Sequence, residues 1–132
     1  MIDVNSILLG QRLMRVERSG SPVFNFEFEL ARLQVECLWR IINETKLLLT
    51  SSDDKQKYGL PAPIDALAAA NEYLSGQVVA SAQLRQPSAD LVLAFRNGVS
   101  LQVLSEFSGY EAWNLSHSGN ILVAMGGIVA KQ

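Results

Sequence analysis

Cys37 and His117 are the sequence's only thiol and only imidazole, so a nucleophilic pair would have to be built from these two. Cys37 alternates in step with Val35 and Trp39, which puts it on an apolar strand face. A thiol buried there holds its proton and behaves as a small apolar residue. His117 stands between Ser116 and Ser118 in a predicted turn, where a solvated imidazole is the ordinary expectation. A zinc site using both would still need two carboxylates. Asp53 and Asp54 are adjacent, whereas acid–base hydrolysis of a glycosidic bond needs carboxyls converging from separate places. They read as solvated loop residues without the oxygen spacing of a calcium loop. The phosphate-loop, dinucleotide and nucleophile-elbow patterns are all missing. No catalytic residue, metal site or cofactor is therefore expected.

What remains is the chemistry of binding. Tyr110, Glu111 and Trp113 follow the short stretch Glu106-Phe107-Ser108-Gly109. On a regular strand Glu111 and Trp113 share one face and Tyr110 takes the other. Core packing is the favoured reading for Trp113, with Tyr110 anchoring an edge through its hydroxyl. The alternative has Glu106, Phe107, Tyr110 and Glu111 forming a binding rim, since aromatic residues supply large contact area at low entropic cost. A different class of function would use the interior. Phe24, Phe26, Phe28 and Trp113 would line a cavity between two halves of the chain, with Glu111 as its polar contact, in a small-molecule binder or minor enzyme.

The elements that must position these residues are mostly strands. Phe24, Phe26 and Phe28 alternate with polar neighbours, as do Leu33, Val35, Cys37 and Trp39. Asn97-Gly98 predicts a hairpin between Leu91–Phe95 and Val99–Leu104, and Ser118-Gly119-Asn120 predicts another. One helix is expected over Ile64–Leu74, with Ile64, Leu67, Ala68, Asn71 and Leu74 on one face. Pro61 and Pro63 precede it, Asp65 suits its positive end, and Gly76 stops it. The stretch from Ser51 to Pro63 should be a surface loop.

The two halves also resemble each other. Leu8-Leu9-Gly10-Gln11 corresponds to Leu74-Ser75-Gly76-Gln77, and Leu33-Gln34-Val35 returns as Leu101-Gln102-Val103. Between them Phe24, Phe26 and Phe28 match Leu91, Leu93 and Phe95. An internal duplication, with copies near residues 3–50 and 65–130, accounts for these matches. Each unit then reads as short helix, glycine, strand, hairpin, strand and strand. Neither half could bury its apolar sheet face alone. The expectation is a single α+β domain, mostly antiparallel β. Its two similar strand-rich halves would form a sandwich or partly closed barrel, with one main helix near 64–74.

The run Gly109-Tyr110-Glu111-Ala112-Trp113-Asn114-Leu115, followed by Leu122-Val123-Ala124-Met125-Gly126-Gly127, resembles a family of small uncharacterised bacterial domains. Those domains end in a Tyr-Glu-x-Trp strand, an apolar strand and glycines. The resemblance covers Gly76 to Val129 and implies an immunity or interaction role, because some members occur near bacterial toxin systems. It carries over no catalytic residue, and Ile128 stands where many members have a third glycine or an acidic residue.

Composition bounds the partners. The 132 residues are 48% hydrophobic and 18% charged, enough apolar material for one core. With 11 Lys and Arg against 13 Asp and Glu, a nucleic-acid partner is disfavoured. Arg12, Arg15 and Arg18 are split between two strand faces and interrupted by Glu17. No apolar run spans a bilayer and no signal peptide is evident, so a cytoplasmic location is expected. The expected partner is another bacterial protein, or a second copy pairing through an exposed strand edge.

Overall fold

The computed structural model describes residues 3–20 and 22–132. Helix α1 (Val4–Leu8) leads into β1 (Leu13–Arg18), β2 (Phe24–Phe28), β3 (Ala31–Val35), β4 (Leu38–Ile42) and β5 (Leu47–Thr50). After a 3-10 turn at Ser51–Asp53 comes α2 (Ala66–Leu74). Strands β6 (Val79–Arg85), β7 (Asp90–Phe95), β8 (Ser100–Leu104), β9 (Glu111–His117), β10 (Asn120–Met125) and β11 (Ile128–Lys131) complete the chain. They form two antiparallel sheets, ordered β1-β2-β3-β9-β10-β11 and β5-β4-β8-β7-β6. The sheets remain open and pack as a sandwich, which decides between the two architectures the sequence allowed.

The chain passes from one sheet to the other twice, at Glu36–Cys37 and at Ser105–Tyr110. At the first crossing the alternation of Leu33, Val35, Cys37 and Trp39 continues unbroken, because both sheets face one core and all four are buried. A pattern that reads as one strand is therefore two strands in different sheets. Each crossing delivers a tryptophan to the core opposite the other half's valine, Trp113 beside Val35 and Trp39 beside Val103.

Equivalent contacts recur 66 residues apart. The side-chain oxygen of Asn5 accepts from the Ala82 N–H at 2.9 Å, and that of Asn71 accepts from the Val16 N–H at 2.9 Å. Gly10 donates to Val79 at 2.9 Å, and Gly76 donates to Leu13 at 2.7 Å. These reciprocal bonds tie the start of β1 to the start of β6 and cap one further N–H on each edge.

Helix α2 begins at Ala66 rather than Ile64, because Asp65 is its N-cap and accepts from the Ala68 N–H. Its buried face is Ala66, Ala70 and Leu74, while Ala68 is exposed, a rotation from the face expected. The preceding loop is tied down by its carboxylates. Asp54 takes the Arg18 guanidinium at 2.8 Å and the Ala66 N–H at 3.0 Å, linking β1, loop and helix. Burial pushes the Asp54 carboxyl up, but the Ala66 N–H and Arg18 outweigh it and hold the group below its ordinary value. Asp53 accepts from the Thr50 N–H and the Tyr58 hydroxyl. His117 closes β9 and is half-buried, rather than lying in the turn.

Candidate functional site

The two crossings lie side by side at one end of the sandwich, and every binding residue expected from the sequence except Trp113 is exposed or half-buried there. Phe107 and Tyr110, on the β8–β9 crossing, are 54% and 72% exposed and meet edge to face with ring centroids 5.7 Å apart. Glu106 and Phe107 also wall a cleft of about 260 Å³. Its other walls come from the β1–β2 hairpin (Arg18, Pro22, Phe24), the β3–β4 crossing (Glu36, Cys37, Leu38) and the 3-10 turn after β5 (Ser51, Ser52).

Glu111 and Trp113 do not share a face. Opposite them, consecutive residues Met125 and Ala124 of β10 pair with Glu111 and Trp113, leaving Ala112 as an extra residue in a bulge. The bulge reverses the alternation. Trp113 points inward, wholly buried, with its indole N–H donating to the Ala89 carbonyl at 2.8 Å. Glu111 points to the outer face, where it accepts from the Asn114 amide at 2.8 Å. The interior cavity expected from Phe24, Phe26, Phe28 and Trp113 does not form at these residues. Phe24 and Phe26 set their rings edge-on against Trp39, at 5.0 and 5.7 Å, and side chains fill the space. Phe24 alone reaches the cleft.

Sequence reasoning missed Glu36. The Glu36 N–H donates to the Ala112 carbonyl at 2.9 Å, which brings its side chain against Glu111. A carboxyl hydrogen-bonded to a second carboxyl is favoured in its protonated form. Hydrogen bonding to Glu111 raises the Glu36 carboxyl most, burial next and the Glu111 charge third, against a lowering contribution from Gln34, and together they bring it to about 7. The only sequence signal for this pair is that both acids adjoin the strand ends at the two crossings. Carboxyls in direct contact stand closer than the roughly 5 Å that a covalent glycosidase mechanism needs.

The sign of the pair's pH dependence follows. An unfolded glutamate loses its proton near 4.5 while folded Glu36 keeps its own to about 7. The stabilisation is thus complete below the unfolded value and is lost as pH rises through the folded one. Urea midpoints should fall between about pH 5 and pH 8 on this account, and Glu111→Gln should flatten that decline while returning Glu36 toward its ordinary range in a carboxyl-carbon NMR titration. An unaltered Glu36 titration in the variant would refute the pairing.

Cys37 forms the floor of the cleft and is 6% exposed. Burial pushes its thiol up most, Glu106, Asp90 and Glu36 push it further, and it reaches about 12. It should be inert to a disulfide reagent at about pH 8 in the folded protein and react fully in denaturant. Rapid labelling of the native state would contradict this placement.

No family model, curated protein or solved structure matches this chain. The site must be read from its own geometry. Among the described residues, no three His, Cys, Asp or Glu side chains come together to hold a metal ion, and no helix is long and apolar enough to cross a membrane. Of the arginines that might have made a basic patch, Arg18 is held by Asp54, Arg15 by Glu17, and Arg12 by the Gly76 carbonyl.

Proposed function

We propose that this chain is a non-enzymatic protein-binding module that engages another bacterial protein through the rim at the sheet crossings. One observation carries the reading: Phe107 and Tyr110 hold an edge-to-face aromatic pair largely in solvent, flanked by Glu106, Glu111 and Glu36. Exposed aromatics of this kind are anchor residues of interfaces. The acids beside them favour a partner with a basic surface. An immunity-type role, which the resemblance of Gly76 to Val129 implies, fits a small domain that acts by covering another protein. The recurrence of contacts at a spacing of 66 residues supports descent of both halves from one duplicated unit. A single, buried, unpaired thiol accords with a reducing cytoplasm.

The test is capture of the tagged protein's partner from its own cells, followed by mass spectrometry. One stoichiometric partner should be retained, and Phe107→Ala and Tyr110→Ala should each release it without altering the circular dichroism of the domain. Retention unaffected by both substitutions would sink the rim as the contact surface. Pairing of two copies is a second reading, favoured by β11 at the sheet edge with Ile128 71% exposed. A monomeric mass by sedimentation at micromolar concentration would remove it.

A further inference from the structure

The cleft beside the rim has a chemical character of its own. Its walls combine apolar residues, Pro22, Phe24, Leu38 and Phe107, with the acids Glu106 and Glu36. Its one cationic wall residue is partly engaged, since Arg18 Nε is buried with no partner among the described residues. Arg18 gives one guanidinium nitrogen to Asp54 at 2.8 Å and lies with Cζ 4.6 Å above the Phe24 ring. An anionic ligand would therefore meet one guanidinium already paired with Asp54, against two acids. A cation with a hydrocarbon stem would meet an apolar passage and two acceptors.

We propose that this cleft is the socket for a lysine or arginine side chain presented by the protein partner. The inference rests on the binding-module reading and specifies what the partner inserts. The stem covers Phe107 and Leu38, as long basic side chains cover apolar surface elsewhere, and the charged head reaches Glu106 and Glu36. The Phe107 ring offers the head an attractive face.

Insertion is coupled to a proton. Glu36 is faced by Glu111 from β9, by Glu106 from the β8–β9 crossing and by Gln34 on its own strand, with Arg18 and Cys37 also lining the cleft. Without a guest, hydrogen bonding to Glu111 and burial keep the Glu36 carboxyl protonated to about 7. A cation beside Glu36 favours its ionised form, so occupancy expels that proton and strengthens as pH rises past neutrality.

The probe is Nα-acetyl-arginine amide, titrated into isotope-labelled protein and followed by amide NMR, with the neutral isostere Nα-acetyl-citrulline amide as control. Shifts from the arginine compound should saturate in the millimolar range and centre on Glu36, Cys37, Leu38, Glu106 and Phe107. The citrulline compound should leave these signals in place. Glu106→Gln, on an exposed crossing, should weaken the arginine compound about fivefold. Binding should be tighter at about pH 8 than at about pH 6. Equal shifts from both compounds, shifts scattered over other surface acids, or indifference to Glu106→Gln would each overturn the socket. The two proposals fail separately. A captured partner released by Tyr110→Ala but not by Glu106→Gln removes the socket and keeps the rim. Glu106-dependent binding of the arginine compound with no captured partner keeps the cation chemistry and removes its protein source.

Discussion

Trp39→Ala should lower the unfolding free energy by about 3–5 kcal/mol, the range for emptying an aromatic site in a packed core. Trp39 is fully buried and receives Phe24 and Phe26 edge-on, so its loss leaves two rings without a partner face. The informative comparison is with the milder change to phenylalanine at both tryptophans. Trp113 donates its indole N–H to the Ala89 carbonyl, and Ala89 is itself fully buried. Trp113→Phe therefore strands an acceptor in the interior, adding roughly 1–3 kcal/mol to the packing loss. The Trp39 indole nitrogen is buried with no partner among the described residues, so Trp39→Phe removes an unsatisfied donor instead. Urea denaturation of the two variants should rank Trp113→Phe as the more damaging. The reverse order would mean that the Ala89 bond contributes little and that ring volume alone decides.

The Gly126-Gly127 turn should prove as sensitive as the core. Gly127 has φ +81°, and a side chain there would overlap the Pro87 carbonyl oxygen on the β6–β7 turn. A Cβ on Gly126 would come 2.8 Å from the Ser108 carbonyl oxygen. Gly127→Ala thus combines left-handed strain with a backbone collision, and a loss of about 2–4 kcal/mol is expected. Gly119→Ala separates the two contributions. Gly119 has φ +77° with nothing within 4 Å of the added carbon, so it should lose only about 1 kcal/mol. Thermal denaturation of the pair measures the difference, and equal losses would show that the contact with Pro87 yields without resistance.

Alternation, turn chemistry and helix caps were legible in the residues because each acts over a few positions. Asn97-Gly98 and Ser118-Gly119 stand at the hairpins they predict, and Asp65 begins the helix. What could not be read depends on pairing between distant strands. The bulge at Ala112 exists only against Ala124 and Met125, so the faces of Glu111 and Trp113 were assigned by a regular period that the strand breaks. The Glu36–Glu111 pair needs β3 beside β9, and neither acid carries a local sign of that neighbour. The buried face of α2 was misjudged for a related reason. Its alanines allow a close approach that periodicity in larger residues did not weigh. The exposure of Phe107 and Tyr110 could be anticipated because both lie in a Ser- and Gly-containing stretch between strands, whatever the register.

The exchange of strands between the halves bears on how the protein is born. Strand β3 can complete its hydrogen bonds only with β9, and β4 only with β8. About eighty residues separate Val35 from Trp113, so at synthesis rates of roughly 5–20 residues per second β3 waits about 4–16 s for its neighbour. During that interval the nascent chain presents two apolar edges with unmet backbone groups, which are templates for aggregation. Chaperone demand during translation should therefore concentrate on the first half, and slowing the ribosome between α2 and β9 should lower the soluble yield even though the finished sequence is unchanged.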